Sequence, residues 1–183
     1  YKRDLSVILK VTDMHGNVLY EKKDNSTQVL NSNYTFILNE MLTATYNSAF
    51  IDYNTPTIIS LGSKISRKYA MKTGSSGTDC YMIGYNPDIL MLVWNGYDDN
   101  RQMQPADGNI SKNIWVNTVE EYLKDKEARW YDVPENVVGV PLDAVTGNQA
   151  VNDKKMYVYY YVKGSEYVNS EMESEDNKEN IVE

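Results

Sequence analysis

The sequence is poor in the residues that most metal and thiol chemistry requires. It holds one cysteine, Cys80, and one histidine, His15, among 183 residues. A structural zinc site takes four ligands, usually Cys or His, and a disulfide takes two cysteines of one chain, so the sequence implies neither, and no cofactor. Cys80 and His15 could combine only as a thiol–base pair. His15, however, sits in the turn-like "DMHGNV", and Cys80 lies in an apolar strand-like run, where a free cysteine behaves as a small buried hydrophobe. Phenylalanine is also scarce, at two, with tyrosine at 16 in its place. No run of about 18 apolar residues exists, so nothing reads as a membrane-spanning helix. The opening "YKRDLSVILKV" lacks the apolar core and cleavage site of a signal peptide, and no initiating methionine precedes it. The expectation is an internal piece of a longer protein whose export signal or anchor lies upstream.

Positive charge is lacking too. The formal charge is −8, and residues 165–183, "SEYVNSEMESEDNKENIVE", carry seven acidic residues and one lysine. The preceding 164 residues are therefore near neutral, and neither part offers the basic face that phosphate neutralisation needs, which argues against a nucleic-acid partner. Residues 165–183 read as a solvated, disordered tail or linker, and residues 1–164 as the folded portion.

Within that portion, "LSVILKVTD" and "VLYEKKD" flank His15, Gly16 and Asn17, so residues 5–23 read as a hairpin. "SNYTFILNEMLTATYNS" places Phe36, Ile37, Met41, Leu42 and Thr45 at helical spacing, with Ser32 or Asn33 as N-cap. "FIDYNTPTIISLGSKISRK" is an irregular connection with a short apolar centre. Three strand-like runs come next, from Lys68 to Ser75, Asp79 to Tyr85 and Ile89 to Gly96, separated by "SSGT" and "NPDI". Links this short favour antiparallel neighbours, because parallel strands need a long crossover. After the polar loop "GYDDNRQMQPADGN", "ISKNIWVNTVEEYLKDK" predicts a helix with Ile114, Trp115, Val119, Tyr122 and Leu123 on one face. "NVVGVPLDAVTGNQA" and "KKMYVYYYVKG" read as two more strands. The fold class expected is α+β, an antiparallel sheet flanked by helices.

One strand carries candidate chemistry. On "YAMKTGSSG", Lys72 and Gly74 face one way and Thr73 and Ser75 the other. Lysine supplies a compact cation and the hydroxyls supply donors, a combination suited to a carboxylate. Gly74 allows close approach of a ligand or a neighbouring element. A backbone amide at a free strand edge could receive the oxyanion of an acyl-transfer intermediate.

The residues after this segment are more specific than the tripeptide itself. Lys72-Thr73-Gly74-Ser75-Ser76 is succeeded by Asp79-Cys80-Tyr81-Met82, Gly84-Tyr85-Asn86-Pro87 and Trp94-Asn95-Gly96-Tyr97-Asp98. This ordered series resembles the third active-site motif and following strands of the penicillin-binding proteins, closest to the class A, bifunctional members of Gram-positive type. "VILKVTDMHGNVLYE", "YTFILNEMLTATYN" and "VVGVPLDAVTGNQA" resemble further parts of the same family, so the likeness covers most of residues 4–163. It implies the C-terminal half of a transpeptidase domain of β-lactamase/transpeptidase-like fold, in an enzyme that cross-links peptidoglycan stem peptides and is acylated by β-lactams. It implies Lys72 as a catalytic residue, with Thr73, Gly74, Ser75 and Ser76 binding substrate. It also implies a location on the outer face of the bacterial cell membrane, by way of an upstream anchor.

The family pattern is incomplete here. The resembled enzymes use Ser-x-x-Lys for nucleophile and base and Ser-x-Asn as a second polar arm, both before Lys-Thr-Gly. No serine in this chain is followed three positions later by lysine. Ser111-Lys112-Asn113 matches Ser-x-Asn as a string, but it follows Lys72 and opens a helix, where Ser111 reads as an N-cap. The expected partner is therefore the N-terminal half of the same domain, carrying both absent motifs. A non-catalytic scaffold module of wall assembly is the alternative. Asp98 and Asp99 read as turn residues rather than a glycosidase pair, and Tyr157, Tyr159, Tyr160 and Tyr161 as a half-buried strand.

Overall fold

The computed structural model describes residues 1–148 and 155–166. Near the N-terminus, β1 (Lys2–Arg3) pairs with β4 (Ser26–Thr27), and between them β2 (Lys10–Thr12) pairs antiparallel with β3 (Val18–Glu21). The expected hairpin is present, with shorter strands. Its turn is tied by the Asp13 carboxylate, which accepts from the backbone N–H of His15 at 2.8 Å and of Asn17 at 2.9 Å. Gly16 supplies the left-handed residue at φ +85°.

The first helix, α1 (Ser32–Thr43), is capped one residue earlier than expected. The Asn31 side chain accepts from the Asn33 N–H, so neither Ser32 nor Asn33 is the cap. Its buried face also differs from the apolar one read from spacing. Phe36, Asn39, Glu40 and Thr43 are buried, whereas Met41 is 63% exposed and Leu38 53%. Hydrogen bonding is the reason. Asn39 Oδ1 accepts from the Tyr85 hydroxyl at 2.8 Å, and Thr43 Oγ1 donates to the Glu40 carbonyl at 2.7 Å. The Glu40 carboxylate holds the Lys68 ammonium at 2.5 Å and the Trp130 indole N–H at 2.6 Å. A polar face engaged in this way can be buried because its partners offset the lost hydration, which leaves Leu38 and Met41 outward.

Short 3₁₀ turns at Ala44–Tyr46, Ser48–Phe50 and Ile59–Leu61 make up the connection, whose apolar centre, Ile58 and Leu61, enters the core. The three strand-like runs form one antiparallel sheet in the order β5 (Ala70–Ser75), β6 (Asp79–Asn86), β7 (Ile89–Gly96). The second helix, α2 (Gly108–Leu123), packs on β6 and β7 and buries Ser111, Trp115, Val116, Val119 and Leu123. Ile114 and Tyr122 of the expected face are about half exposed instead, at 46% and 55%. Ser111 is not an N-cap either. The helix begins three residues before it, and its side chain is buried. Finally, β8 (Val137–Asp143) and β9 (Met156–Val162) form an antiparallel pair beside α1. The expected α+β arrangement is present, although among the described residues this pair is separate from the three-stranded sheet. Lys154 and Gln149–Ala150, at the ends of the two expected strands, and residues 167–183 of the acidic segment lie outside the described residues.

The core is centred on Trp115. Its ring lies so close to Gly84 of β6 that a Cβ there would fall 2.4 Å from Trp115 Cζ2. Its indole N–H donates to the Met91 carbonyl of β7 at 3.0 Å, and the Tyr69 ring meets it edge-on at 5.1 Å. Met71, Met82, Val93, Val116 and Val119 complete the cluster.

Gly84→Ala is expected to destabilise the protein by about 1–3 kcal/mol through overpacking, and Trp115→Ala by about 3–5 kcal/mol through the cavity it leaves. Denaturant titration followed by near-UV circular dichroism measures both; a Gly84→Ala variant as stable as the parent would refute the contact. Glu40→Ala strips the acceptor from Lys68 and Trp130 and is expected to cost about 2–3 kcal/mol, because Lys68 remains partly solvated.

Candidate functional site

The Lys-Thr-Gly segment lies on β5, which pairs with β6 and, among the described residues, has no strand on its other side. Just past its end, the Ser76 N–H donates to the Asp79 carbonyl at 2.9 Å. Bonded and non-bonded pairs alternate along an antiparallel ladder. Gly74 and Lys72 therefore direct their backbone groups toward β6, and Ser75, Thr73, Met71 and Tyr69 direct theirs to the outer edge. The contacts at the start of the strand agree. The Tyr46 hydroxyl donates to the Tyr69 carbonyl and accepts from its N–H, and Thr45 Oγ1 donates to the Met71 carbonyl at 3.3 Å. These residues cover the edge as far as Met71. Beyond it, the amides of Thr73 and Ser75 face outward along an edge that no strand of the described residues covers.

The side chains divide as the pleat requires. Lys72 and Gly74 pair across to Ile83 and Tyr81, on the sheet face opposite α2; Thr73 and Ser75 pair across to Met82 and Cys80, on the face α2 covers. Lys72 is exposed, and its ammonium donates to the neighbouring Thr73 carbonyl at 2.7 Å. Among the described residues it forms no ion pair with a carboxylate. Thr73 Oγ1 donates to Thr57 Oγ1 at 3.2 Å, and Lys112 of α2 donates to the Thr57 carbonyl at 2.8 Å. A Cβ on Gly74 would meet only Tyr81, at an ordinary 3.6 Å, so nothing within the described residues requires a glycine there. The Ser75 side chain is exposed.

Ser76 is differently engaged. Its hydroxyl donates to Asp79 Oδ2 at 2.8 Å and accepts from the Asp79 N–H at 3.0 Å, closing the turn between β5 and β6. Thr78 Oγ1 also donates to Asp79 Oδ2, at 2.9 Å, and the Trp94 indole N–H donates to Oδ1 at 2.9 Å. The indole and then these two hydroxyls hold the Asp79 carboxyl below the usual carboxylate range.

Other residues line the surface depressions, for example Leu5, Val7 and Ile8 near the N-terminus, or Phe50, Tyr53 and Tyr159 beside β9. Among the other residues weighed from sequence, Cys80 is buried, while His15 is exposed on the hairpin turn. Asp98 and Asp99 lie in the loop where the Asn100 N–H bonds the Tyr97 carbonyl, as a turn requires. The tyrosines of β9 are half-buried, with Tyr157 donating to the Glu40 carbonyl at 2.7 Å. No group of three or more His, Cys, Asp or Glu able to hold a metal occurs among the described residues. No helix among them is long and apolar enough to cross a membrane. Sequence reasoning did not single out Thr57 and Lys112. They reach Thr73 through contacts spanning 16 and 55 residues, which no local pattern reveals.

No family model matches the chain. Among curated proteins it is 32% identical over 170 residues to penicillin-binding protein 2D of Bacillus subtilis, a match covering 92% of this chain and 25% of that protein. It is 34% identical over 73 residues to penicillin-binding protein 1A of Neisseria gonorrhoeae, and 32% identical over 85 to penicillin-binding protein 1A of Pseudomonas aeruginosa. These shorter matches cover 38% and 44% of this chain and 9% and 10% of the relatives. Its fold matches the crystal structure of penicillin-binding protein 1A from Haemophilus influenzae, with a TM-score of 0.69 and 20% identity over 91% of this chain and 30% of that one. The chain spans about a quarter of the first of these relatives. By sequence and by fold, then, its homologues are the penicillin-binding proteins, class A members among them.

Proposed function

We propose that residues 1–164 are the C-terminal portion of a serine D-Ala-D-Ala transpeptidase domain, and that β5 is its substrate-binding strand. The observation that carries this reading is the open edge of β5, with an outward amide at Ser75 beside an exposed lysine that has no carboxylate partner among the described residues. An extended peptide can lie along such an edge, main chain against main chain.

In this reading a serine on the upstream half attacks the penultimate D-Ala carbonyl of a stem peptide. The carbonyl oxygen becomes an oxyanion, held by the Ser75 N–H and by the N–H of the attacking serine. The tetrahedral intermediate collapses by breaking the C–N bond, the leaving D-Ala takes a proton, and an acyl-serine ester remains. The amine of a neighbouring stem peptide then attacks the ester and releases the serine. Lys72 attracts the terminal carboxylate electrostatically, and the Ser75 hydroxyl donates to it, as does the Thr73 hydroxyl on turning from Thr57. Gly74 keeps the groove clear for an element or ligand contributed from outside the described residues. Ser76, engaged with Asp79, shapes the turn next to the site. β-Lactams place a carboxylate and a strained carbonyl in the same positions and acylate the same serine.

The surface left uncovered by this chain supports an upstream partner half. Leu38 and Met41 on α1, Leu90, Leu92 and Trp94 on the sheet, and Val18 and Leu19 on the hairpin are each about half exposed or more. Exposed large apolar side chains of this sort are surface that a partner can cover. The proposed location is the outer face of the bacterial cell membrane, with the anchor in the upstream region.

In the full-length protein, Lys72→Ala should lower the rate of labelling by a fluorescent penicillin at least 100-fold, with the melting temperature nearly unchanged. Labelling at the parental rate would remove Lys72 from the site. The 183-residue chain incubated alone with penicillin should show no mass increase by intact-mass spectrometry; a stable adduct would place a nucleophile in this chain and overturn the proposed division of roles.

A further inference from the structure

The turn after Ser75 is held by more contacts than a short hairpin needs. "SSGT" already suits a tight turn, and the Ser76–Asp79 backbone bond closes it. The third strand nevertheless contributes a tryptophan. Trp94 of β7 is 52% exposed, so packing within the described residues does not explain its position. Its indole N–H reaches Asp79 Oδ1 at 2.9 Å while Oδ2 holds the hydroxyls of Ser76 and Thr78. Gly96 makes room for this meeting: a Cβ there would lie 2.8 Å from the Trp94 ring and 3.2 Å from Asp79 Oδ1. A second brace comes from the loop after β7, where the Met103 N–H donates to the Gly77 carbonyl at 2.9 Å.

The peptide that most needs this rigidity is the one joining Gly74 to Ser75. Its N–H points off the sheet edge, outside the β5–β6 ladder, and it follows a glycine, the residue with the widest backbone freedom. The peptide plane is therefore set by its flanks. The ladder to β6 fixes one side, and the Ser76–Asp79 turn fixes the other. A donor to a developing oxyanion has to be held within about 0.5 Å and 10–20° of its productive position.

We infer that Asp79 and Trp94 are positioning residues, a carboxylate–indole clamp that fixes the turn and thereby aims the Ser75 amide at the oxyanion of the acylation step. This inference rests on the substrate-strand reading of β5. The clamp touches no substrate. It acts on the transition state by aiming the Ser75 N–H, and it leaves in place the ground-state carboxylate contacts of Lys72, Thr73 and the Ser75 hydroxyl, which rotates about its own side-chain bond, so it should affect acylation without affecting initial binding.

Stopped-flow acylation of the full-length protein by benzylpenicillin separates the dissociation constant of the first complex from the acylation rate constant. Trp94→Phe keeps the ring and removes the donor. It should lower the acylation rate constant about 10-fold, a fraction of the 10²–10³ lost when an oxyanion donor is deleted outright. The dissociation constant and melting temperature should stay at parental values. Asp79→Asn, which retains one acceptor for the indole, should lose less than Asp79→Ala. An unchanged acylation rate constant in Trp94→Phe would overturn the inference, and so would a loss matched by a fall in melting temperature. Lys72→Ala in the same assay separates the two claims. If it is impaired and Trp94→Phe is not, the clamp is wrong and the substrate strand stands. If neither is impaired, the substrate-strand reading has failed.

Discussion

The contact of Trp115 with Gly84 sets the geometry on which everything else in this chain relies. An indole of that size can lie against the middle strand of a sheet only where the strand lacks a side chain, and a Cβ at Gly84 would leave 2.4 Å. The ring therefore fixes α2 at one height and one rotation over β6, and the bond from its N–H to the Met91 carbonyl ties the same ring to β7. With α2 on this face, Met71, Met82 and Val93 turn inward and Lys72 is left on the other. The depth of α2 along the sheet also brings Lys112 to the Thr57 carbonyl, and so Thr57 to Thr73. A packing decision in the core thus positions a hydroxyl against β5.

The second constraint is electrostatic. Glu40 is buried on α1 and collects an ammonium from the segment leading into β5 and an indole from the segment after α2. Removing a carboxylate from water is costly unless each oxygen finds a donor, and here Lys68 reaches both oxygens and Trp130 one of them. The consequence is directional. With its polar face inward and satisfied, α1 shows Leu38 and Met41 to the outside. This outward face agrees with a chain that matches only a quarter of penicillin-binding protein 2D.

The edge of β5 is therefore braced from three directions. Thr45 and Tyr46 cover its beginning, Thr57 contacts its middle, and the Asp79 carboxylate closes its end. Between these supports lie the two outward amides of Thr73 and Ser75. Rigid surroundings around an unpaired stretch of backbone favour a binding edge over a loose strand that invites non-specific pairing.

Much of this was readable from local chemistry. Strand alternation placed β5, β6 and β7 to within two residues, because their connections are too short for anything but antiparallel neighbours. The same alternation divided Lys72 and Gly74 from Thr73 and Ser75. The succession from Lys72 through Trp94 to Asp98 identified the relatives, since an ordered series of short motifs is specific where one tripeptide is not. Long-range contacts were beyond it. Helical periodicity in α1 pointed to Phe36, Ile37 and Met41; Phe36 is buried as expected, but the rest of the buried face went to Asn39, Glu40 and Thr43, because their partners Tyr85, Lys68, Trp130 and Tyr157 come from distant parts of the chain. Ser111 read as a cap because caps are local, whereas the fold starts the helix earlier and buries it. Residue order decides which backbone conformations are cheap and which side chains share a face. Which face is covered, and which hydroxyl meets which carboxylate, is decided by packing between segments far apart in sequence.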